Sequence, residues 1–195
     1  MIDRLAARIS YQMYKSKLYT HEQIRQIQYG LQSVMSEGVK LFFIGLLLYF
    51  SGYLWYGIFA ILVFGSVRIW AGGYHADSYF KCFIVSMGII YATVFMGLYI
   101  QNDIFFLIEG IFVFIIIYIF APADHRNQPI ISSKRRKKIK RIAIAMTTFW
   151  VIVLYFISSP WKYIGMHSIL FEAMIIIYMI LIEQEQISIE YKNNM

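Results

Sequence analysis

Cys82 is the only cysteine in the chain, and His75 precedes it by seven residues. A cysteine with a histidine in reach is the simplest thiol-protease engine: the imidazole takes the thiol proton, and the thiolate attacks a carbonyl to form a thioester. On one continuous helix, residues seven apart share a face but lie about 10 Å apart along the axis, too far for a direct hydrogen bond. Catalysis therefore needs His75 on an unwound turn that folds back over the start of the helix carrying Cys82. The string RIWAGGYHADSYFKC, residues 68–82, contains the means, because Gly72-Gly73 reaches backbone angles that other residues avoid. Lys81 adjoins the thiol, and a thiol near a cation and a helix N-terminus gains thiolate character. Arg68 is available to orient a carboxylate or stabilise developing charge. The competing structural reading is that a lone Cys in an apolar helix is a small packing residue and that a His at a membrane edge is a polar anchor.

The remaining chemistry-bearing residues are scattered. His21 falls on the polar face of an amphipathic stretch, His125 in a basic loop, and His167 in the last apolar segment. No pair has metal-ligand spacing, one Cys cannot build a Cys-rich zinc site, and no phosphate-cradling glycine loop is present; no metal or cofactor is expected. Glu109 and Glu172 interrupt apolar segments, and intramembrane charge usually marks function. Glu172, apolar on both sides, is the stronger candidate, with Arg68 or Lys81 as its partner or with a purely packing role.

The elements that must position these residues follow from composition. The 195 residues are 59% hydrophobic and 15% charged, with mean hydropathy +0.59. Soluble domains run near 45–50% apolar and about 25% charged. The 16 Phe, 16 Tyr and 4 Trp exclude a disordered chain, and the single Cys excludes a disulfide scaffold. The class that remains is an all-α polytopic membrane protein. Six apolar segments are expected: 41–50, 54–69, 79–100, 104–121, 142–157 and 164–182. The first two are short and separated by Ser51-Gly52, which allows a thin helical hairpin or one long bent span. Residues 1–38 carry no secretory signal pattern. They read instead as two amphipathic helices on the membrane surface, with apolar residues at Leu5, Ile9 and Met13 and then at Ile24, Ile27, Leu31, Val34 and Met35. Thr20 with Gln23 fits a capping box at the start of the second. Residues 39–195 form the membrane domain.

The formal charge is +7, from 18 Lys+Arg against 11 Asp+Glu. Basic residues gather before the first segment (Arg4, Arg8, Lys15, Lys17, Arg25, Lys40) and in the loop 122–141 (Arg126 and Lys134, Arg135, Arg136, Lys137, Lys138, Lys140, Arg141). The loop 101–103 has none and the loop 158–163 only Lys162. Because loops rich in Lys and Arg stay cytoplasmic, six spans with both termini inside satisfy every cluster, whereas five spans would force the N-terminal cluster outside. The same orientation puts Arg68, His75 and Cys82 at the cytoplasmic face. A basic patch this short beside a membrane fits an acidic peptide or anionic lipid better than nucleic acid.

At these residues the chain resembles the accessory gene regulator protein B (AgrB) family of Gram-positive bacteria. The resemblance is carried by Arg68, Gly73, His75 and Cys82, with Gln32 in YGLQSVMSEGVKL, Ala121-Pro122-Ala123-Asp124 before the basic loop, Pro129, and Phe171-Glu172-Ala173 in the last segment. It implies an integral cell-membrane cysteine endopeptidase of the quorum-sensing system, acting as a homodimer. Its substrate would be a propeptide with an amphipathic leader and an acidic C-terminal tail. By this likeness Cys82 attacks the bond before the tail and His75 acts as base. The tail leaves, and a thiol or hydroxyl within the peptide displaces Cys82 to close a thiolactone or lactone. Asp77, Gln32 and Glu172 are candidates to orient His75, and Lys134, Arg135, Arg136, Lys137 and Lys138 would hold the tail. The readings from other classes are a small transporter or exporter with Glu172, Glu109 and Arg68 along its path, and a non-enzymatic membrane scaffold.

Overall fold

The structure, a computed structural model, describes residues 2–15, 20–73, 79–123 and 132–193. The ordered elements among them are seven helices: α1 (Ile2–Lys15), α2 (His21–Phe50), α3 (Leu54–Ala71), α4 (Tyr79–Tyr99), α5 (Asp103–Phe120), α6 (Ser133–Phe156) and α7 (Trp161–Asn193). The last six are each long and apolar enough to cross a membrane. The chain is thus all-α and polytopic, as its composition requires.

Two boundaries differ from the hydropathy reading. The expected second surface helix is not separate: α2 runs unbroken from His21 to Phe50, joining the amphipathic stretch to the first apolar segment. Nothing between Met35 and Leu41 ends a helix, since Gly38 alone carries only a propensity cost of about 1 kcal/mol. The expected Thr20–Gln23 capping box is present, with each side chain bonded to the other's backbone N–H. The second difference is at residues 133–141, expected in a loop. They form the first turns of α6, with Ser132 as N-cap accepting from the Arg135 N–H. Charge lowers hydropathy without lowering helix propensity, so a hydropathy window begins this helix too late. The break at Ser51-Gly52 makes α2 and α3 two helices.

The described chain divides into two compact units, Met1–Gly52 and Tyr53–Met195. In the first, α1 packs on α2, burying Ala6 and Ser10. The Tyr14 hydroxyl and His21 Nε2 lie 3.0 Å apart.

In the second unit α7 is the axle, with α3, α4, α5 and α6 all packed on it. Of its membrane-length window 56% is buried, against at most 28% in any other helix. Its buried face is Tyr163, Met166, Ile169, Ala173, Ile176 and Met179, at three- and four-residue steps. Small residues set the packing distances, as lipid-embedded helices require. A Cβ on Gly97 of α4 would sit 2.4 Å from Ile164 Cγ1, and one on Gly165 of α7 would sit 2.2 Å from Leu154 Cδ2. Large apolar side chains such as Phe105, Ile111, Ile119, Phe149 and Phe156 point outward, which is tolerable only in lipid.

Candidate active site

α3 ends because Gly72 and Gly73 take φ values of +80° and +138°, outside the range of ordinary L-residues. At that point the chain after α5 comes alongside. Ala123 donates its N–H to the Ala71 carbonyl at 2.8 Å, and Gly73 donates to the Ala123 carbonyl at 3.2 Å, making a short parallel bridge between Gly72 and Ala123. Gly72 cannot carry a side chain here: a Cβ would lie 2.2 Å from the Ala123 carbonyl oxygen.

Beneath this turn lies an ion pair. Arg68, in the last turn of α3, donates from Nη1 to Oε2 of Glu172 at 3.1 Å, and Glu172 is fully buried. Of the two partners open in the sequence, Arg68 rather than Lys81 is the one observed. Arg68 also stacks over Phe64, 5.5 Å from the ring centre. Among the described residues the second oxygen of Glu172 has no hydrogen-bond partner, and it faces Gly73: a Cβ on Gly73 would stand 3.0 Å from Arg68 Nη1 and 3.4 Å from Glu172 Oε1. Isolated ions in such surroundings are costly, so a pair with one open acceptor is a tense arrangement that the helix packing must hold in place.

Cys82 is the fourth residue of α4, in its first turn, half-buried and not in a disulfide. The buried residues of α4, Ile90, Thr93, Val94 and Gly97, lie farther along, so the end carrying Cys82 is the less covered one. Lys81 beside it is exposed. His75 and Asp77 lie outside the described residues, as does loop 124–131 with Asp124, His125 and Pro129. Gln32 belongs to α2, in the other unit. Lys134, Arg135, Arg136, Lys137 and Lys138 are exposed in the first turns of α6. Arg136 Nη2 reaches the Pro122 carbonyl at 3.3 Å.

The structure therefore brings Arg68, Gly73 and Glu172 together, and it ties the start of the link toward Cys82 to the segment before the basic helix. Among the described residues no group of three His, Cys, Asp or Glu side chains is arranged to hold a metal.

A second polar centre, unread in the sequence as a pair, lies toward the opposite helix ends. His167 Nδ1 and Glu109 Oε2 are 3.0 Å apart, with the His167 side chain 2% exposed and its Nε2 without a partner among the described residues. Nearby in the chain, Asp103 takes hydrogen bonds from Lys162 and, at 3.0 Å, from the Tyr163 hydroxyl. These contacts fasten α5 to α7. The signal was available: Glu109 and His167 are isolated polar residues in apolar segments, and such residues find each other.

Comparison with known proteins agrees with the family resemblance. The family model described as accessory gene regulator B matches residues 6–183. An AgrB-like protein of Clostridium beijerinckii is 27% identical over 199 residues, covering 100% of this chain and 96% of its own length. Accessory gene regulator protein B of Staphylococcus lugdunensis is 30% identical over 82% of this chain and 85% of its own. That of Staphylococcus carnosus is 33% identical over 70% and 72%. No solved structure matches. With a family model spanning all six membrane-length segments, the chain belongs to the accessory gene regulator B family.

Proposed function

We propose that this protein is a cysteine endopeptidase of the bacterial cell membrane that processes the precursor of a quorum-sensing peptide. The observation that carries the reading is the ion pair between Arg68 and the buried Glu172 under Gly73. It fixes the start of the five-residue link to α4, whose first turn bears the chain's only thiol. A packing cysteine would have no use for an ion pair, a two-glycine turn and a backbone bridge at the end of the helix before it.

The chemistry divides into two acyl transfers. His75 takes the proton of the Cys82 thiol, and the thiolate adds to the carbonyl preceding the acidic tail. The C–N bond breaks, the proton passes from His75 to the departing amine, and the peptide remains as a thioester on Cys82. A thiol or hydroxyl within the peptide then attacks that thioester, Cys82 leaves as thiolate and regains a proton, and a ring is closed. Asp77 is the candidate to orient the imidazole, and the Arg68–Glu172 pair holds the turn that precedes it. The exposed Lys134, Arg135, Lys137 and Lys138 at the start of α6 attract the acidic tail. Both termini and the site face the cytoplasm, where a newly made precursor is found, and the enzyme works as a homodimer.

The test is cleavage of a tagged precursor in membranes holding wild-type protein, Cys82→Ala or His75→Ala. Loss of cleavage in both variants with normal membrane insertion, together with a trapped peptide adduct on Cys82 in wild type, supports the reading. Undiminished cleavage by either variant overturns it, and the transporter and scaffold readings then return.

A further inference from the structure

We propose that Arg136 is not one of the tail-docking cations but a positioning residue for the turn that leads to the catalytic residues. It would act through the Pro122-Ala123 segment. The kinetic part of this proposal rests on the peptidase reading above; the labelling part does not.

Five of the first six residues of α6 are cationic, and the positive end of a helix dipole disfavours cations. Among the described residues the side chains of Lys134, Arg135, Lys137 and Lys138 make no hydrogen bond or ion pair, which suits groups waiting for an anion. Arg136 differs. Its guanidinium turns back and donates to the Pro122 carbonyl at 3.3 Å, just past the C-terminus of α5 at Phe120. There the dipole of α5 is negative, so a charge that is unfavourable for its own helix is favourable for the neighbouring one.

The residue it holds is the first half of a strut. Pro122 is followed by Ala123, whose N–H and carbonyl bond to Ala71 and Gly73 on either side of Gly72. The contacts therefore run Arg136 to Pro122, Ala123 to the Gly72-Gly73 turn, and that turn to Arg68 and Glu172 beneath it. The basic helix and the link toward Cys82 thus depart from one bonded junction. Arg136 is the side chain that closes it from the α6 side.

The test compares Arg136→Gln with Lys137→Gln, which remove the same charge one residue apart, in membrane vesicles. Two quantities are read: alkylation of Cys82 by iodoacetamide, specific because the chain has no other cysteine, and kcat and KM for precursor cleavage. Arg136→Gln is expected to speed alkylation at least about threefold and to lower kcat about tenfold, with KM within about twofold of wild type. Lys137→Gln is expected to raise KM and leave alkylation alone. Arg136→Lys, which keeps one donor, returns alkylation toward the wild-type rate. Alkylation of Arg136→Gln within twofold of wild type overturns the proposal whatever the kinetics show. If Arg136→Gln does not accumulate in the membrane, Arg136→Met, which keeps the aliphatic stem, is judged by the same alkylation criterion. Should Cys82→Ala still cleave precursor, the peptidase reading falls, while the alkylation comparison still decides the role of Arg136.

Discussion

Glu172 of α7 lies beneath Gly73, with one carboxylate oxygen bound to Arg68 and the other open toward the glycine. The pair links residues 104 positions apart in the chain and joins the helix that ends at the turn to the helix at the centre of the bundle. Removing one partner of a buried pair leaves a bare charge and costs about 3–5 kcal/mol, whereas replacing both with apolar groups is often neutral. Arg68→Met and Glu172→Leu are therefore each expected to lower the detergent unfolding temperature sharply, and the double variant to recover most of it. Cleavage is expected to stay lost in the double variant, because stability returns without the charge under the turn. Recovery of cleavage along with stability would reduce the pair to a packing element.

The two glycines should fail in different ways. Gly72→Ala drives a Cβ to 2.2 Å from a backbone carbonyl that cannot move aside, and it also sits at positive φ. It is expected to lose membrane accumulation. Gly73→Ala meets side chains and no backbone, the nearest being the end of Arg68 at 3.0 Å, with backbone strain of at least about 1 kcal/mol. It is expected to accumulate and to cleave poorly. Immunoblots of membranes alongside cleavage separate the two, and the reverse ranking would contradict the geometry.

The Glu109–His167 contact is expected to matter for stability alone. His167→Ala leaves a carboxylate inside the bundle with no hydrogen-bonding partner at its place, a loss of about 2–4 kcal/mol. Below its lowered unfolding temperature the variant should cleave precursor with wild-type kcat. A kcat that collapses while the protein remains folded would instead speak for a path through this part of the membrane.

Peptide-to-thioester conversion runs uphill, and thioester exchange to a new thiol is nearly balanced. Cleavage should accordingly be reversible and driven by departure of the tail. Purified protein supplied with excess synthetic tail peptide is expected to stall with uncyclised precursor, as mass spectrometry would report. Complete cyclisation under those conditions removes the argument.

The sequence made the membrane class, the glycine turn, the helix carrying Cys82 and the solitary carboxylates plain, because each is written in composition or local pattern. It left the partner of Glu172 open between Arg68 and Lys81, since the choice depends on how α3, α4 and α7 pack. The Gly72–Ala123 bridge was not legible at all: it is made of backbone groups, and side-chain identity records it only as a demand for glycine. Glu109 and His167 were visible singly but not as a pair, for they meet only when α5 docks on α7. The onset of α6 was misread because hydropathy weighs lysine and arginine as loop, while the backbone there needs only a cap at Ser132.

The unbroken α2 has a mechanical meaning. Thirty residues rise about 45 Å, and a hydrocarbon core is about 30 Å thick. Roughly a third of the rod must stand clear of the lipid, on the side where its polar residues begin at His21. With no break along its length, a displacement of the protruding part is passed to the part in the bilayer and not absorbed at a hinge. A peptide landing on those first turns would be pulling on a lever, not on a tether.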